Sequence, residues 1–335
     1  MKVKHANFYF LLVLAVFLVE SFLFYFFQDI PIWLEEGARD LLLILIAFLY
    51  LKADKVSVRD GIGFRRIRWS TLGWVALITF MVQPLSSTFY ELSTRFSPDF
   101  LADAEDMLFT DNFFIDAFTV AALPGFFEEF VFRGVLHHSY LRSGRKLVPV
   151  IVLTALEFGL FHMNFTQFSY AFILGIILSF VMESAGSIWA SMFMHFLNNF
   201  FSVFENMVFE WNSDVAQFLP LQYLNYDTKE AGILTFALTL ICTPLVFVVC
   251  RKISANEYRT IDYRRQVRGE ILVREEDLVL EKNGKKQRIF TFSLILALVI
   301  CLGMCVFMHF ALSMTGTPAP AEEVPAALPG FVKWL

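Results

Sequence analysis

The sequence predicts an all-α fold, a polytopic integral membrane helix bundle of about nine transmembrane helices. Composition is the first observation, because 57% of the 335 residues are hydrophobic, only 18% are charged, and the mean hydropathy is +0.60. No soluble globular domain of this length has such a composition. The second is that apolar runs of about 20 residues, enough to cross a bilayer, recur along the whole chain. The third is that basic residues gather in alternate loops.

The predicted spans follow the apolar runs in order along the chain. Acidic residues interrupt the second span, and the fifth is short. The polar segment 251–288 mixes both charge signs around an Asn283-Gly284 turn signal, which predicts a cytoplasmic loop with a small hairpin. The nine spans are 8–27, 32–51, 69–90, 113–136, 147–163, 165–183, 187–209, 231–250 and 289–312.

Loop charge predicts the orientation of the chain. Lysines and arginines precede the first span and follow the second, fourth and eighth, whereas the intervening loops are acidic. Basic loops remain in the cytoplasm, so we expect a cytoplasmic N-terminus and an external C-terminus. The first span lacks a small-residue cleavage site and should remain as an anchor. This pattern suits a multi-pass protein of a bacterial plasma membrane.

The cysteines do not form a framework for disulfides or metal. No Cys-x-x-Cys pair occurs, so neither a thiol redox site nor a cysteine zinc site is expected. Small, soft side chains in apolar spans pack well against neighbouring helices. All four cysteines lie in the last two spans, at Cys242, Cys250, Cys301 and Cys305.

Charged residues lie at membrane depth in the fourth span. A charge near the bilayer centre costs from about 2.5 to more than 10 kcal/mol, so such residues indicate a functional site. Glu129 and Arg133 are four residues apart and share one helix face. Glu128 is rotated by about 100° from Glu129 and is left poorly neutralised, which suits a general base or acid. Pro124 and Gly125 are expected to break the helix and admit water.

Two further spans carry polar residues that answer this pair. His162 ends the fifth span, and Phe158 lies one turn before it on the same face. His195 and Asn199 are four apart in the seventh span, whereas Asn198 should point elsewhere. Imidazole and amide groups pointing together into a bundle can stabilise a developing oxyanion. Two histidines and a glutamate can equally hold a zinc ion, and both possibilities stay open here.

Together these residues form three motifs, in order and inside apolar spans. Each motif is weak alone, but their combination is specific. They are Glu128-Glu129-Phe-Val-Phe-Arg133, Phe158-Gly-Leu-Phe-His162 and His195-Phe-Leu-Asn-Asn199.

The motifs resemble the EExxxR, FxxxH and HxxxN patterns of the CPBP family (CAAX protease and bacteriocin-processing), also called the Abi family. This family includes the type II CAAX prenyl endopeptidases and proteins linked to bacteriocin self-immunity. The resemblance covers roughly residues 113–205, which implies a protease-like catalytic core there. On this basis residues 1–112 and 206–312 hold flanking helices, and 313–335 form a Pro-rich tail.

The resemblance implies an intramembrane endopeptidase with assigned residue roles. Glu128 with His162 would activate water, while His195 with Asn199 would stabilise the oxyanion. Family members have been described both as metalloproteases and as glutamate-type proteases; we favour the glutamate mechanism, which needs no cofactor. A zinc mechanism would use Glu128, His162 and His195 as ligands.

The resemblance assigns three further residues to support of the site. Arg133 would hold Glu129, and Phe158 would pack against the imidazole of His162. The expected partners are a membrane-bound protein or peptide substrate and the lipid bilayer, with no nucleic acid.

Other functions compete with proteolysis. The same polar cluster would also suit a non-catalytic immunity factor or a regulatory binding protein, in which it locks the bundle together. A secondary transporter would keep acids at midplane too, but the chain shows no internal repeat and its polar residues gather in three spans. The identity of the substrate does not follow from the sequence.

Overall fold

The structure is a computed structural model that consists of packed helices. No strand occurs in the described ranges, in agreement with the predicted all-α fold. Those ranges are 3–24, 32–99, 109–110, 112–211, 229–267 and 289–315.

The described part of the chain consists mainly of long helices. We number them in chain order, and each predicted span falls on one long helix. The helices are α1 (Val3–Phe24), α2 (Ile32–Ala53), α3 (Val58–Ile62), α4 (Trp69–Thr94), α5 (113–142), α6 (Leu147–Phe161), α7 (Phe165–Ala185), α8 (Ile188–Trp211), α9 (Lys229–Val267) and α10 (Phe292–Thr315).

The apolar character of these helices supports a membrane protein. Within the described part of the chain, five helical stretches are long and apolar enough to cross a bilayer. Helix α6 is apolar but shorter. The exact number of crossings and the orientation remain predictions. The five stretches are Val3–Leu23, Trp69–Thr94, Phe165–Ala185, Lys229–Tyr258 and Phe292–Ser313.

The first part of the predicted cytoplasmic loop is helical instead. Helix α9 continues to Val267, so the expectation of a loop from residue 251 is wrong for residues 251–267. The buried side chain of Glu257 explains part of this extension, because it joins α9 to the start of α4. It accepts hydrogen bonds from the backbone N–H of Arg68 and from the hydroxyl of Thr71. The predicted Asn283-Gly284 hairpin and the tail lie outside the described residues.

Two apolar clusters form the core. One is formed mainly by α1, α2, α5, α6 and α10, with smaller contributions from α3, α7 and α8, and the other is formed by α4, α7, α8 and α9. Phe132 and Phe158 belong to the first cluster, whereas Met194 belongs to the second. The polar residues singled out from the sequence lie where α5, α6 and α8 bring the two clusters together.

Candidate active site

Helix α5 runs without a break through the proline that was expected to interrupt it. Two wider π-helical turns, Ala117–Ala122 and Phe130–His137, flank an α-helical segment, Leu123–Glu129. Pro124 has no backbone N–H to donate, but it lies in the first turn of that α-helical segment, where this loss is tolerated. The side-chain amide of Asn199 donates to the carbonyl of Val120 in the preceding turn, at 3.1 Å. The expected break is therefore wrong, and the Asn199 amide ties α5 to α8.

Gly125 allows the two helices to approach closely. A Cβ atom at this position would lie 2.8 Å from the backbone nitrogen of Phe196 and 2.9 Å from its Cα atom. Only glycine fits such a backbone contact without a shift of one helix. Phe196 follows His195 directly, so this contact fixes the height of His195 and Asn199 along α5.

Glu129, Arg133 and His195 form one buried polar group. Arg133 Nη1 donates to Glu129 Oε1 at 2.7 Å, and both side chains are fully buried. His195 Nδ1 donates to the same carboxylate oxygen at 3.1 Å. Glu129 is thus held by a guanidinium and an imidazole, which satisfies a charge that would otherwise be too costly to bury.

Phe158 contacts two side chains of this group, Arg133 and His195, and also the ring of His162. The guanidinium carbon of Arg133 lies 4.2 Å from the ring centroid, a cation–π contact. The rings of His162 and His195 meet Phe158 edge-on, with centroids 5.0 and 5.8 Å away. Phe158 therefore orients the arginine and both histidines at once.

Glu128 occupies a different environment from Glu129. Its side chain is 27% exposed, and its Oε2 atom lies 3.8 Å from His195 Nε2. It also interacts electrostatically with His162 and Arg133. The structure thus separates the two adjacent glutamates as the spacing predicted: one is buried with a counter-charge, and the other is partly accessible.

His162 ends α6 with its ring held by the backbone. Its Nδ1 atom donates to the carbonyl oxygen of Phe158 at 2.9 Å, so the Nε2 atom of the neutral ring keeps a free lone pair. The chain then reverses through Met163, whose φ of 56° is left-handed. Asn164 accepts from the backbone N–H of Gln167 and caps α7. This turn fixes the position of the histidine between two helices.

Asn198 and Asn199 are neighbours on α8, and their side-chain amides contact each other. Asn198 was expected to point elsewhere, and its Oδ1 atom does accept a hydrogen bond from Gln83 on α4. Its amide nitrogen also lies 3.3 Å from Asn199 Oδ1. No sequence signal identified Gln83, because it lies 115 positions before Asn198 in the chain.

The zinc ligands considered from the sequence are not arranged as a metal site. Among the described residues, no group of three or more His, Cys, Asp or Glu side chains is placed to hold a metal ion. His195 directs Nδ1 to Glu129 and His162 directs Nδ1 to the Phe158 carbonyl, which leaves Nε2 of each ring available. The choice between the glutamate and the zinc mechanism therefore stays a prediction.

Two other buried acids serve as hydrogen-bonding partners outside the site. Glu157 Oε1 accepts a hydrogen bond from the Tyr140 hydroxyl at 2.6 Å. Asp116 accepts from the backbone N–H and hydroxyl of Thr110, at 2.9 and 2.7 Å. Both contacts stabilise the bundle away from the reacting groups.

A second histidine–glutamate pair was missed from the sequence. His137 Nε2 lies 3.0 Å from Glu183 Oε1, which links the end of α5 to the end of α7. His137 follows Arg133 at a spacing of four residues, and this regular spacing was the available signal.

Comparison with known proteins gives a family-level result. No curated protein and no solved structure matches the chain. All the residues of the three motifs lie inside the one segment that does match a family. Residues 110–201 match the family model described as type II CAAX prenyl endopeptidase Rce1-like, which confirms the predicted resemblance for this part of the chain.

Proposed function

We propose that this protein is an intramembrane endopeptidase that hydrolyses a peptide bond of a membrane-associated protein or peptide. The family match supports protease activity at the level of the family. The observation that carries the proposal is the contrast between two adjacent carboxylates. Glu129 is buried and neutralised, whereas Glu128 is partly accessible, lies 3.8 Å from His195 Nε2 and is within electrostatic range of His162.

Glu128 acts as the general base in this proposal. It removes a proton from a water molecule while the water oxygen attacks the carbonyl carbon of the substrate. The free lone pair on His162 Nε2 accepts the second hydrogen of that water and orients it. Glu128 then returns the proton to the amide nitrogen, which leaves as an amine. The C–N bond breaks with one water consumed, and no other reactant is needed.

His195 and Asn199 stabilise the oxyanion that forms during the attack. Donation from His195 Nε2 requires an imidazolium, because Nδ1–H already donates to Glu129. An imidazolium also balances the local charge: two carboxylates, Glu128 and Glu129, then face Arg133 and His195. Asn199 contributes the N–H that does not bond to the backbone. Removal of one such donor typically lowers the rate by about 10²–10³.

A matched pair of variants tests the role of Glu128. In purified protein, Glu128→Gln should abolish cleavage of a membrane-peptide reporter and keep the melting temperature, because the amide preserves shape and removes a charge. Glu183→Gln is the control: its side chain is 28% exposed, almost the same as Glu128, and it also contacts a histidine. Normal cleavage by the Glu128→Gln variant would contradict the proposed mechanism.

A cellular comparison tests whether proteolysis is the function at all. Membrane proteins should be compared between cells that carry the wild type and cells that carry Glu128→Ala at equal abundance. A protein that accumulates uncut only with the variant identifies the substrate. An unchanged membrane proteome together with an unchanged phenotype would favour a non-catalytic binding or immunity role.

A further inference from the structure

We infer that Gln83 and Asn198 are positioning residues that fix the direction of the Asn199 amide, so that its N–H rather than its carbonyl faces the reacting group. The inference rests on the proposed function, in which Asn199 is an oxyanion donor. It assigns a role to α4, which lies outside the segment that matches the protease family.

A chain of hydrogen bonds runs from side chains of α4 and α8 to a backbone carbonyl of α5. Gln83 Nε2 donates to Asn198 Oδ1 at 3.2 Å. Asn198 Nδ2 donates to Asn199 Oδ1 at 3.3 Å. Asn199 Nδ2 donates to the Val120 carbonyl at 3.1 Å. Three amides therefore stand head to tail between two helices, all with the same polarity.

Backbone carbonyls fix that polarity at both ends, since a carbonyl can only accept. At one end Gln83 Nε2 also donates to the carbonyl of Thr79, at 3.2 Å, so the nitrogen of this amide is defined. At the other end the carbonyl of Val120 accepts from Asn199 Nδ2, so the nitrogen of that amide is defined as well. A reversed row of amides would place two oxygens against each other at each end, and buried acceptors without donors are costly.

The fixed polarity leaves one useful group on Asn199. An amide has two N–H donors and one oxygen. The oxygen is occupied by Asn198, and one N–H is occupied by Val120, so the second N–H remains to donate. If the amide turned over, its oxygen would face the developing negative charge, and the donor would become a repulsive group.

Substitution of Gln83 by two residues of similar size distinguishes orientation from packing. Gln83→Glu places an acceptor where the donor was, so Asn198 turns to donate to it and Asn199 is reversed in turn. We expect kcat to fall by about 10²–10³ with KM nearly unchanged. Gln83→Met removes the donor without imposing the reverse polarity, so its kcat should fall much less.

The double variant gives a result that a purely structural role would not produce. Asn198→Ala cuts the connection, so Asn199 is oriented by Val120 alone and keeps part of its activity. Adding Asn198→Ala to Gln83→Glu should raise kcat above that of Gln83→Glu alone. If each substitution only damaged the structure independently, their effects on kcat would add. A double variant slower than either single variant would therefore overturn the inference.

A control and a second measurement complete the experiment. Thr88→Val removes another hydrogen bond of α4, to Thr239 at 2.9 Å, and should leave kcat unchanged. The side-chain amide signals of Asn199, recorded by NMR on detergent-solubilised protein labelled with ¹⁵N-asparagine, report the orientation without any need for activity. They should shift in Gln83→Glu and stay close to the wild type in Thr88→Val.

The two measurements, kcat and the NMR signals of the Asn199 amide, separate failure of the positioning role from failure of the proposed function. If the wild type is active and Gln83→Glu is impaired, Asn199 amide signals that are the same in both proteins would overturn the positioning role and leave the proposed proteolysis intact. Amide signals that shift in Gln83→Glu, together with a wild-type protein that cleaves no membrane-peptide reporter, would support the positioning role and overturn its catalytic purpose.

Discussion

Arg133→Ala is the variant that should damage the fold most through electrostatics. The guanidinium lies 2.7 Å from Glu129 and 4.2 Å from the Phe158 ring centroid, and both charged side chains are fully buried. Truncation leaves Glu129 without the guanidinium, held only by the imidazole of His195 and the side chain of Ser191. Removing one partner of a buried ion pair costs about 3–5 kcal/mol. Loss of the contact with Phe158 adds up to about 2 kcal/mol.

A second glutamate–arginine pair provides the matched control. Glu91 and Arg95 are also four residues apart and lie 3.3 Å from each other, but their side chains are 31% and 62% exposed. Exposed pairs contribute only about 0–1 kcal/mol, so Arg95→Ala should leave the free energy of unfolding almost unchanged. Unfolding in detergent should be followed by circular dichroism across a denaturant series for both variants. Equal stabilities of the two variants would refute the reasoning about burial.

The Glu129–Arg133 pair also allows a double-mutant test of why Arg133→Ala loses stability. If the loss in Arg133→Ala comes from a stranded charge, then adding Glu129→Gln should recover part of the stability, because the charge is removed. If it comes from the cavity left by the arginine, the second substitution should recover nothing. Cleavage of the reporter should stay low in both cases, since His195 loses its carboxylate partner.

Three further outcomes are expected. Gly125→Ala should lower stability by about 1–3 kcal/mol and reduce cleavage, because its Cβ would meet the backbone of Phe196; Gly73→Ala, which meets nothing within 4 Å, should be neutral or raise melting temperature in the same thermal scan. Glu157→Gln should keep the melting temperature within a few degrees, as its amide still bonds the buried hydroxyl, and a large drop would show that the carboxyl itself is required. Cleavage by a Glu128→Asp variant should be weak but measurable, because the base is retained but is withdrawn by one methylene, and a rate equal to the wild type would argue against a positioned base.

Most of the fold follows from the apolar runs, because helix length in a membrane is set by bilayer thickness. Each predicted span falls on a helix, although individual ends shift by several residues. Helix α9 shows the limit of this reasoning. Its polar continuation to Val267 depends on long-range contacts such as those between Glu257 and the start of α4, which no local pattern records.

The candidate site was partly predictable for a physical reason. Spacing along one helix places Glu129 against Arg133, and the structure has this contact. Contacts between different helices are not encoded by spacing, so the bond from His195 to Glu129 and the link from Gln83 to Asn198 could not be derived. Pro124 was misread because it lies in the first turn of the α-helical segment Leu123–Glu129, directly after a wider π-helical turn, where a proline is tolerated.

The hydrogen bonds of Asn7 have a consequence for biosynthesis. The buried Asn7 amide donates to the Ile289 carbonyl at 2.7 Å and to the Thr291 hydroxyl at 2.8 Å, and its oxygen lies 2.9 Å from the Tyr140 hydroxyl. The first two partners are 282 and 284 residues away. At about 5–20 residues per second, a ribosome needs roughly 15–60 s to reach them. Throughout that interval the Asn7 amide nitrogen lacks both of these acceptors, so this link between the start of α1 and the residues that precede α10 forms only when the chain is almost complete.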